Sequence, residues 1–253
     1  MRLEDTPVLV TGAASGLGAA TARHLAGQGA RVALLDINAD GAKRIADDIG
    51  GLALECDVTD LASAESAVSA AREAHGHARI LVNCAGGGHA KRVVGKAGPM
   101  QLDDFVKIVS LNLFGTFNMI RLAAADMAGL PDSGDGERGV IVSTASVAAY
   151  EGQIGQSAYA ASKGGIVSLT IQLAREFAQF GIRVMSIAPG IFQTPLLQAA
   201  SKEVQESLSA AIPFPRRTGD PSEFADLVRH IVVNRYLNGE VIRLDGAIRL
   251  APR

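Results

Sequence analysis

The chain has 253 residues, 48% of them hydrophobic and 20% charged, with a formal net charge of −2. That supplies a large core, and it leaves too small an excess of either sign to draw the whole surface to nucleic acid or to an anionic membrane. Two cysteines, Cys56 and Cys84, form neither a metal-ligand spacing nor a disulfide framework, so no metal is expected and a reducing compartment fits. No apolar run reads as a membrane span, and the N-terminus enters a strand almost at once, which leaves no room for a cleavable signal. The expectation is a soluble cytoplasmic protein.

In chain order, PVLVT (7–11) is a short apolar strand, followed by a helix over 19–30 that ends near Gly29. RVALLD (31–36) is a second strand and 39–50 a second helix. GLALECDV (51–58) is a third strand, and 60–76 a helix opened by an Asp cap at Asp60. RILVNCAG (79–86) is a fourth strand, 102–128 a long helix and 139–146 a fifth strand, reached through a turn-rich loop at 130–139. The helix holding Tyr159 comes next, then a strand over 182–190, a helix near 221–234 and a last strand over 239–246. Strands that are apolar without alternation belong to a parallel sheet covered on both faces, and their regular exchange with helices predicts one doubly wound α/β domain of seven strands over 1–253.

The first turn, VLVTGAASGLGAAT, sets Gly12, Gly16 and Gly18 between a strand and a helix. Glycines there allow backbone to approach a ligand closely, and the helix N-terminus presents free N–H groups to a pyrophosphate. Asp36 ends the second strand, where a carboxylate can accept both ribose hydroxyls of an adenosine and repel a 2′-phosphate. Neither Ala14 nor Ile37 is basic, so NAD is favoured over NADP. Asp57 follows the third strand and could meet the adenine amino group. Asn83, Cys84, Ala85 and Gly86 end the fourth, with small residues that let a cofactor lie against backbone. Cys84 reads as a small lining residue and not as a nucleophile.

SAYAASKGG (157–165) holds Tyr159 and Lys163 at i and i+4, on one helix face among small neighbours, and Ser146 ends the fifth strand ahead of them. The set T-G-x-x-x-G-x-G, N-x-A-G, Asn112, S-x12-Y-x3-K and P-G (189–190) resembles the short-chain dehydrogenase/reductase family over essentially the whole chain. The resemblance implies an NAD-linked alcohol oxidation. Tyr159 would be the acid/base, Lys163 and the positive nicotinamide ring would together lower its pKa, Lys163 would also reach the nicotinamide ribose, Ser146 would hold the substrate oxygen, and Asn112 would anchor a water and relay protons towards Lys163. It also implies cofactor contacts at Ser15, Leu17, Asp36, Asp57, Val58 and Cys84, and, after the P-G turn, at Phe192 and Thr194.

Within the family, residues 144–167, 182–197 and 237–249 look most like NAD-dependent homotetrameric members that oxidise short 3-hydroxyacyl-CoA thioesters and some hydroxysteroids. That likeness puts Gln153 at the substrate carbonyl. Lys91, Arg92 and Lys96, read as unbalanced by acids, are expected at the cleft rim, where they could attract the phosphates of coenzyme A. An apolar mouth around Ile191, Phe192 and Leu196 would instead admit a steroid. His89 reads as a rim residue, and a non-catalytic scaffold is the different-class alternative, disfavoured by the intact Ser–Tyr–Lys set. The partner expected is thus a small molecule, acyl-CoA or steroid, with no nucleic acid and no membrane.

Overall fold

The computed structural model describes residues 1–88, 90–133, 136–198 and 201–252. Seven parallel strands form one sheet in the order β3–β2–β1–β4–β7–β8–β9. They are β1 (Pro7–Thr11), β2 (Arg31–Asp36), β3 (Leu52–Glu55), β4 (Ile80–Asn83), β7 (Gly139–Thr144), β8 (Ile182–Pro189) and β9 (Val241–Leu244). Along β1, Val8 and Val10 join one apolar cluster and Leu9 the other, so both sheet faces are covered. All eight residues of β8 are buried, which explains the continuous apolar runs.

The helices are α1 (Gly16–Ala26), α2 (Ala39–Ile49), α3 (Leu61–His75), α4 (Leu102–Val109), α5 (Gly115–Ala128), α6 (Ser157–Phe177), α7 (Pro195–Gln198), α8 (Lys202–Ala210) and α9 (Pro221–Val233). Their starts are written in the sequence. Asp60 accepts the Ser63 N–H at 2.7 Å, and Asp220 and Glu223 form a capping box around Pro221. The third, fourth and last strands are shorter than expected. Cys56 N–H still reaches Asp36 O, and Cys84 N–H reaches Thr11 O, but beyond them the chain leaves the ladder to form the rim of a crevice. Strand order reverses beside β1, so that crevice lies at the carboxyl ends of β1 and β4, the usual ligand position in such sheets.

Three features depart from expectation. Residues 102–128 form one continuous helical run, but Ser110–Phe114 is a π-turn in which Gly115 N–H bonds to Ser110 O, so α4 and α5 are joined and not uniform. This run is also long and apolar enough to cross a membrane by length and composition, against the reading that no segment is. Half of its most apolar window is buried within the protein, as in a core helix. A two-residue hairpin, β5 (Val94–Gly95) with β6 (Gly98–Pro99), and the helices α7 and α8 were not expected. Two-residue strands are below the length at which periodicity can signal anything.

Candidate active site

The crevice is a cleft of about 800 Å³, within the range of small-molecule sites. Its floor at one end is backbone. Gly12 sits at φ 64°, and a Cβ there would lie 2.6 Å from Ala85 N. A Cβ on Gly18 would stand 2.1 Å from Gly12 O, and one on Gly16 would point at Thr194 Cγ2, 3.5 Å away. Thr11 locks the two strand ends together, its Oγ1 accepting the N–H groups of Cys84 (3.2 Å) and Ala85 (3.1 Å). Ser15 is the N-cap of α1 but its side chain makes no capping bond, and Ser15, Gly16, Leu17 and Gly18 all line the cleft. The turn is therefore a cradle that any side chain would fill, at a helix end with N–H groups lacking intrahelical partners.

Asp36 is oriented by two backbone amides. Its Oδ2 accepts from Ala14 N–H and its Oδ1 from Asn38 N–H, each at 2.9 Å, and it lines the cleft with lone pairs to spare. Asp57 also lines the cleft, but its Oδ1 turns the chain towards α3 by accepting from Thr59 N–H (2.8 Å) and Thr59 Oγ1 (2.7 Å). Val58 is buried against Gly115, on which a Cβ would meet Val58 Cγ2 at 2.6 Å. Burial pushes the Cys84 thiol up to about 11, so it holds its proton, and what Cys84 presents is backbone. Ala85 and Gly86 complete that wall.

The reactive end gathers Ser146, Tyr159 and Lys163. Tyr159 and Lys163 share a face of α6, with Lys163 Nζ 5.7 Å from the Tyr159 ring centroid. Lys163 is 4% exposed and donates to Thr144 O at 2.7 Å. Burial lowers its pKa to about 8, partly opposed by the nearby Cys84. Ser146 is buried, accepts from Ala148 N–H at 3.1 Å and lies where its hydroxyl favours the ionised form of Tyr159. A Cβ on Gly88 would stand 2.9 Å from Tyr159 Cδ2, so the segment leaving β4 lies flat on that ring.

Two side chains bear on the proton chemistry expected here. Burial raises the Tyr159 pKa, and Ser146 opposes this. The Lys163 ammonium donates to Thr144 O, and the lowering expected of Lys163 together with a positive nicotinamide ring belongs to the cofactor-bound state. The Asn112 amide spends both hydrogens on backbone, donating to Gly87 O (2.7 Å) and Ile108 O (2.9 Å), while its Oδ1 accepts from Gly87 N–H (3.1 Å). Its side chain braces the Gly86–Gly87 backbone from within the π-turn.

The other end of the cleft is made of side chains. Gln153 lines it, but its Nε2 donates to Ala251 O at 3.0 Å. Phe192 is buried edge-to-face against Phe224 and lines the cleft with Ile191 and Thr194. Leu197, Leu208 and Leu250 line it as well and were not foreseen. Leu197 and Leu208 sit on α7 and α8, which sequence reasoning missed. The apolar tail IRLAPR was the available signal for Leu250. Lys91, Arg92 and Lys96 do not line the cleft, and Lys91 is ion-paired with Asp104, so the reading of this stretch as unbalanced by acids holds only for Arg92 and Lys96. The stretch is held beside the 151–156 loop by Lys91 N–H on Gly155 O, 2.8 Å. His89 and the Leu196 side chain lie outside what the structure describes.

Comparison with known proteins gives consistent matches. The family model for short chain dehydrogenase matches residues 6–205. The chain is 51% identical over 251 residues to the 3-hydroxyacyl-CoA dehydrogenase type-2 of Bos taurus, covering 96% of this chain and 95% of that protein. It is 46% identical to the Drosophila melanogaster protein of the same name, covering 99% and 100%. The crystal structure of 3-hydroxyacyl-CoA dehydrogenase type-2 from Mycobacterium avium superposes with a TM-score of 0.94 at 44% identity, over 98% of each chain.

Proposed function

The chain belongs to the short-chain dehydrogenase family, whose members use nicotinamide cofactors, and we propose that this oxidoreductase converts short-chain 3-hydroxyacyl-CoA to 3-ketoacyl-CoA reversibly with NAD. The observation that carries the reading is the convergence of Ser146, Tyr159 and buried Lys163 on one glycine-lined cleft, in a chain half identical to relatives bearing that name. The choice of NAD rests on Asp36, whose oriented carboxylate would repel a 2′-phosphate, and on the uncharged neighbours Ala14 and Ile37. The dinucleotide would be held by Gly12, Gly16, Gly18, Asp36, Asp57 and the Cys84–Gly86 backbone. When bound, it supplies the hydride acceptor and a positive charge in its oxidised form.

The chain's own residues handle the proton. Tyr159 takes the proton of the substrate hydroxyl in oxidation and returns it in reduction, and Ser146 holds the substrate oxygen beside it. Because burial holds the Tyr159 pKa up, a phenolate at neutral pH needs a compensating positive charge, which Lys163 at about 8 carries in part. Gln153 offers its remaining amide hydrogen to the thioester carbonyl. The same reading includes a homotetramer, supported by Leu102, Val106, Phe114 and Phe117, which are all exposed along one helical run. The second substrate reading, a hydroxysteroid, is favoured by the apolar lining of Ile191, Leu197, Leu208 and Leu250.

The test is NADH formation across 3-hydroxyacyl-CoA thioesters and hydroxysteroids, with Tyr159→Phe beside the wild type. The thioesters should be turned over best. Tyr159→Phe should lose ~10²–10⁴-fold in kcat while binding NADH within a few-fold. Turnover of steroids but not of thioesters would replace the substrate assignment, and an active Tyr159→Phe would remove the tyrosine from the chemistry.

A further inference from the structure

Residues 248–252 pass over the substrate end of the cleft, tied on both sides. Ile248 is 2% exposed and its N–H bonds to Asp245 O at 3.0 Å. Farther on, Pro252 O accepts from Ile154 N–H (3.0 Å) and Ala251 O from Gln153 Nε2 (3.0 Å). Between these ties stands Leu250, which lines the cleft. Arg243, on β9, joins the parts. It binds both Glu151 oxygens (2.8 and 3.1 Å), Asp245 Oδ2 (2.8 Å) and Ile248 O (3.1 Å). Arg249 adds contacts to Glu151 (3.4 Å) and Asp245 (3.1 Å).

We propose that this segment is a strap forming the far wall of the substrate site, with Leu250 as the residue that limits substrate length and Arg243 as the positioning residue that holds strap and Gln153 loop together. The inference rests on the alcohol-oxidation reading but adds a residue outside its reactive set. The 151–154 loop joins Ser146 to the helix of Tyr159 and brings Gln153 into the cleft lining, whereas the glycine-rich turn follows β1. A wall tied to that loop therefore touches the group carried by the alcohol carbon and not the dinucleotide. Three carbons of Leu250 beyond its Cβ fill space that a longer acyl chain would need. Filling or emptying such space by a methylene shifts discrimination by roughly 10-fold or more.

The test compares wild type, Leu250→Ala, Leu250→Trp and Arg243→Gln on 3-hydroxyacyl-CoA thioesters of increasing chain length, with NADH affinity measured by fluorescence. Leu250→Ala should lower kcat/KM about tenfold for the shortest thioester and move the optimum to longer ones. Leu250→Trp should exclude the longer ones. Arg243→Gln should raise KM across the panel with kcat within a few-fold, and in all three variants NADH affinity should stay within twofold. A uniform change at every chain length in the two Leu250 variants, or a comparable loss of NADH affinity in any of the three, overturns the proposal. Should Arg243→Gln fail to fold, the two Leu250 variants still decide it. Should the wild type oxidise no thioester, the functional reading has failed, and the same variants on aliphatic secondary alcohols of graded length decide the strap separately.

Discussion

The two ends of the cleft are built by different means. The cofactor end is backbone: Gly12 and Gly18 pressed against neighbouring main chain, Thr11 clasping Cys84 and Ala85, and Asp36 oriented by two amides. The substrate end is side chains brought from four separate places, Gln153 from a loop, Leu197 from α7, Leu208 from α8 and Leu250 from the strap. Main chain packed against main chain leaves no room for an added Cβ, so this end tolerates almost no substitution. A wall of side chains can be altered one residue at a time, which suits the end that distinguishes substrates.

The strongest way to break this contrast is Gly18→Ala. The added Cβ would stand 2.1 Å from Gly12 O, a distance only main-chain movement can relieve. NADH affinity should fall on the order of 100-fold, whereas Leu208→Ala should leave it unchanged. Titration of both variants by NADH fluorescence checks this. Equal affinities would mean that the turn is not held by close backbone contact.

Lys163 stands between the two ends and sharpens the contrast through pH. Its pKa in the fold, about 8, lies below the ordinary 10.5 because burial disfavours the ammonium. Below pH 8 both folded and unfolded chains carry the charge, and the fold bears the full penalty. Between about 8 and 10.5 the folded chain has released its proton and the unfolded chain has not, so stability rises with pH through that window. The full difference is about 3 kcal/mol, from 1.36 kcal/mol per pKa unit. Urea unfolding of the cofactor-free chain should show wild type gaining on Lys163→Met as pH rises from 8 to 10.5. A constant gap would show that the lysine is not held in a desolvating site.

How much of this was legible follows the same division. The seven strands and their parallel direction could be read directly, because apolar runs are local signals. Spacing alone put Tyr159 and Lys163 on one helix face, and the family resemblance joined Ser146 to them. The inert Cys84, whose neighbours are all small, could also be read directly. The strap could not. Leu250 is held at the cleft by contacts between residues far apart in sequence, Arg243 with Glu151, Gln153 with Ala251 and Ile154 with Pro252, and no periodicity records such contacts. The Lys91–Asp104 pair was hidden for the same reason: the acid lies on α4, outside the stretch that looked purely basic. The partner of the Lys163 ammonium was hidden as well: Thr144 O lies at the end of β7, away from the helix that carries the lysine.

The smallest expected effect belongs to Arg92 and Lys96, the exposed cations that remain once Lys91 is paired with Asp104. Both stand on the stretch that Lys91 N–H ties to Gly155 O, close to the loop bearing Gln153 but outside the cleft lining. A coenzyme A group leaving the substrate end would pass this stretch with several negative charges, and a steroid would pass it with none. Exposed pairs are worth roughly 0–1 kcal/mol each and are screened within about 8 Å at physiological salt. Replacing Arg92 and Lys96 together by Gln should therefore raise KM for acetoacetyl-CoA only two- to five-fold, leave kcat alone and leave KM for an uncharged alcohol unchanged. Added salt should reproduce the effect in the wild type. Lys91→Gln, by contrast, should act mainly on stability, because its charge is already answered by Asp104. Were Lys91→Gln to raise KM as much as the double variant, the ion pair would have to open on substrate binding, and the rim would be an adaptable surface and not a fixed one.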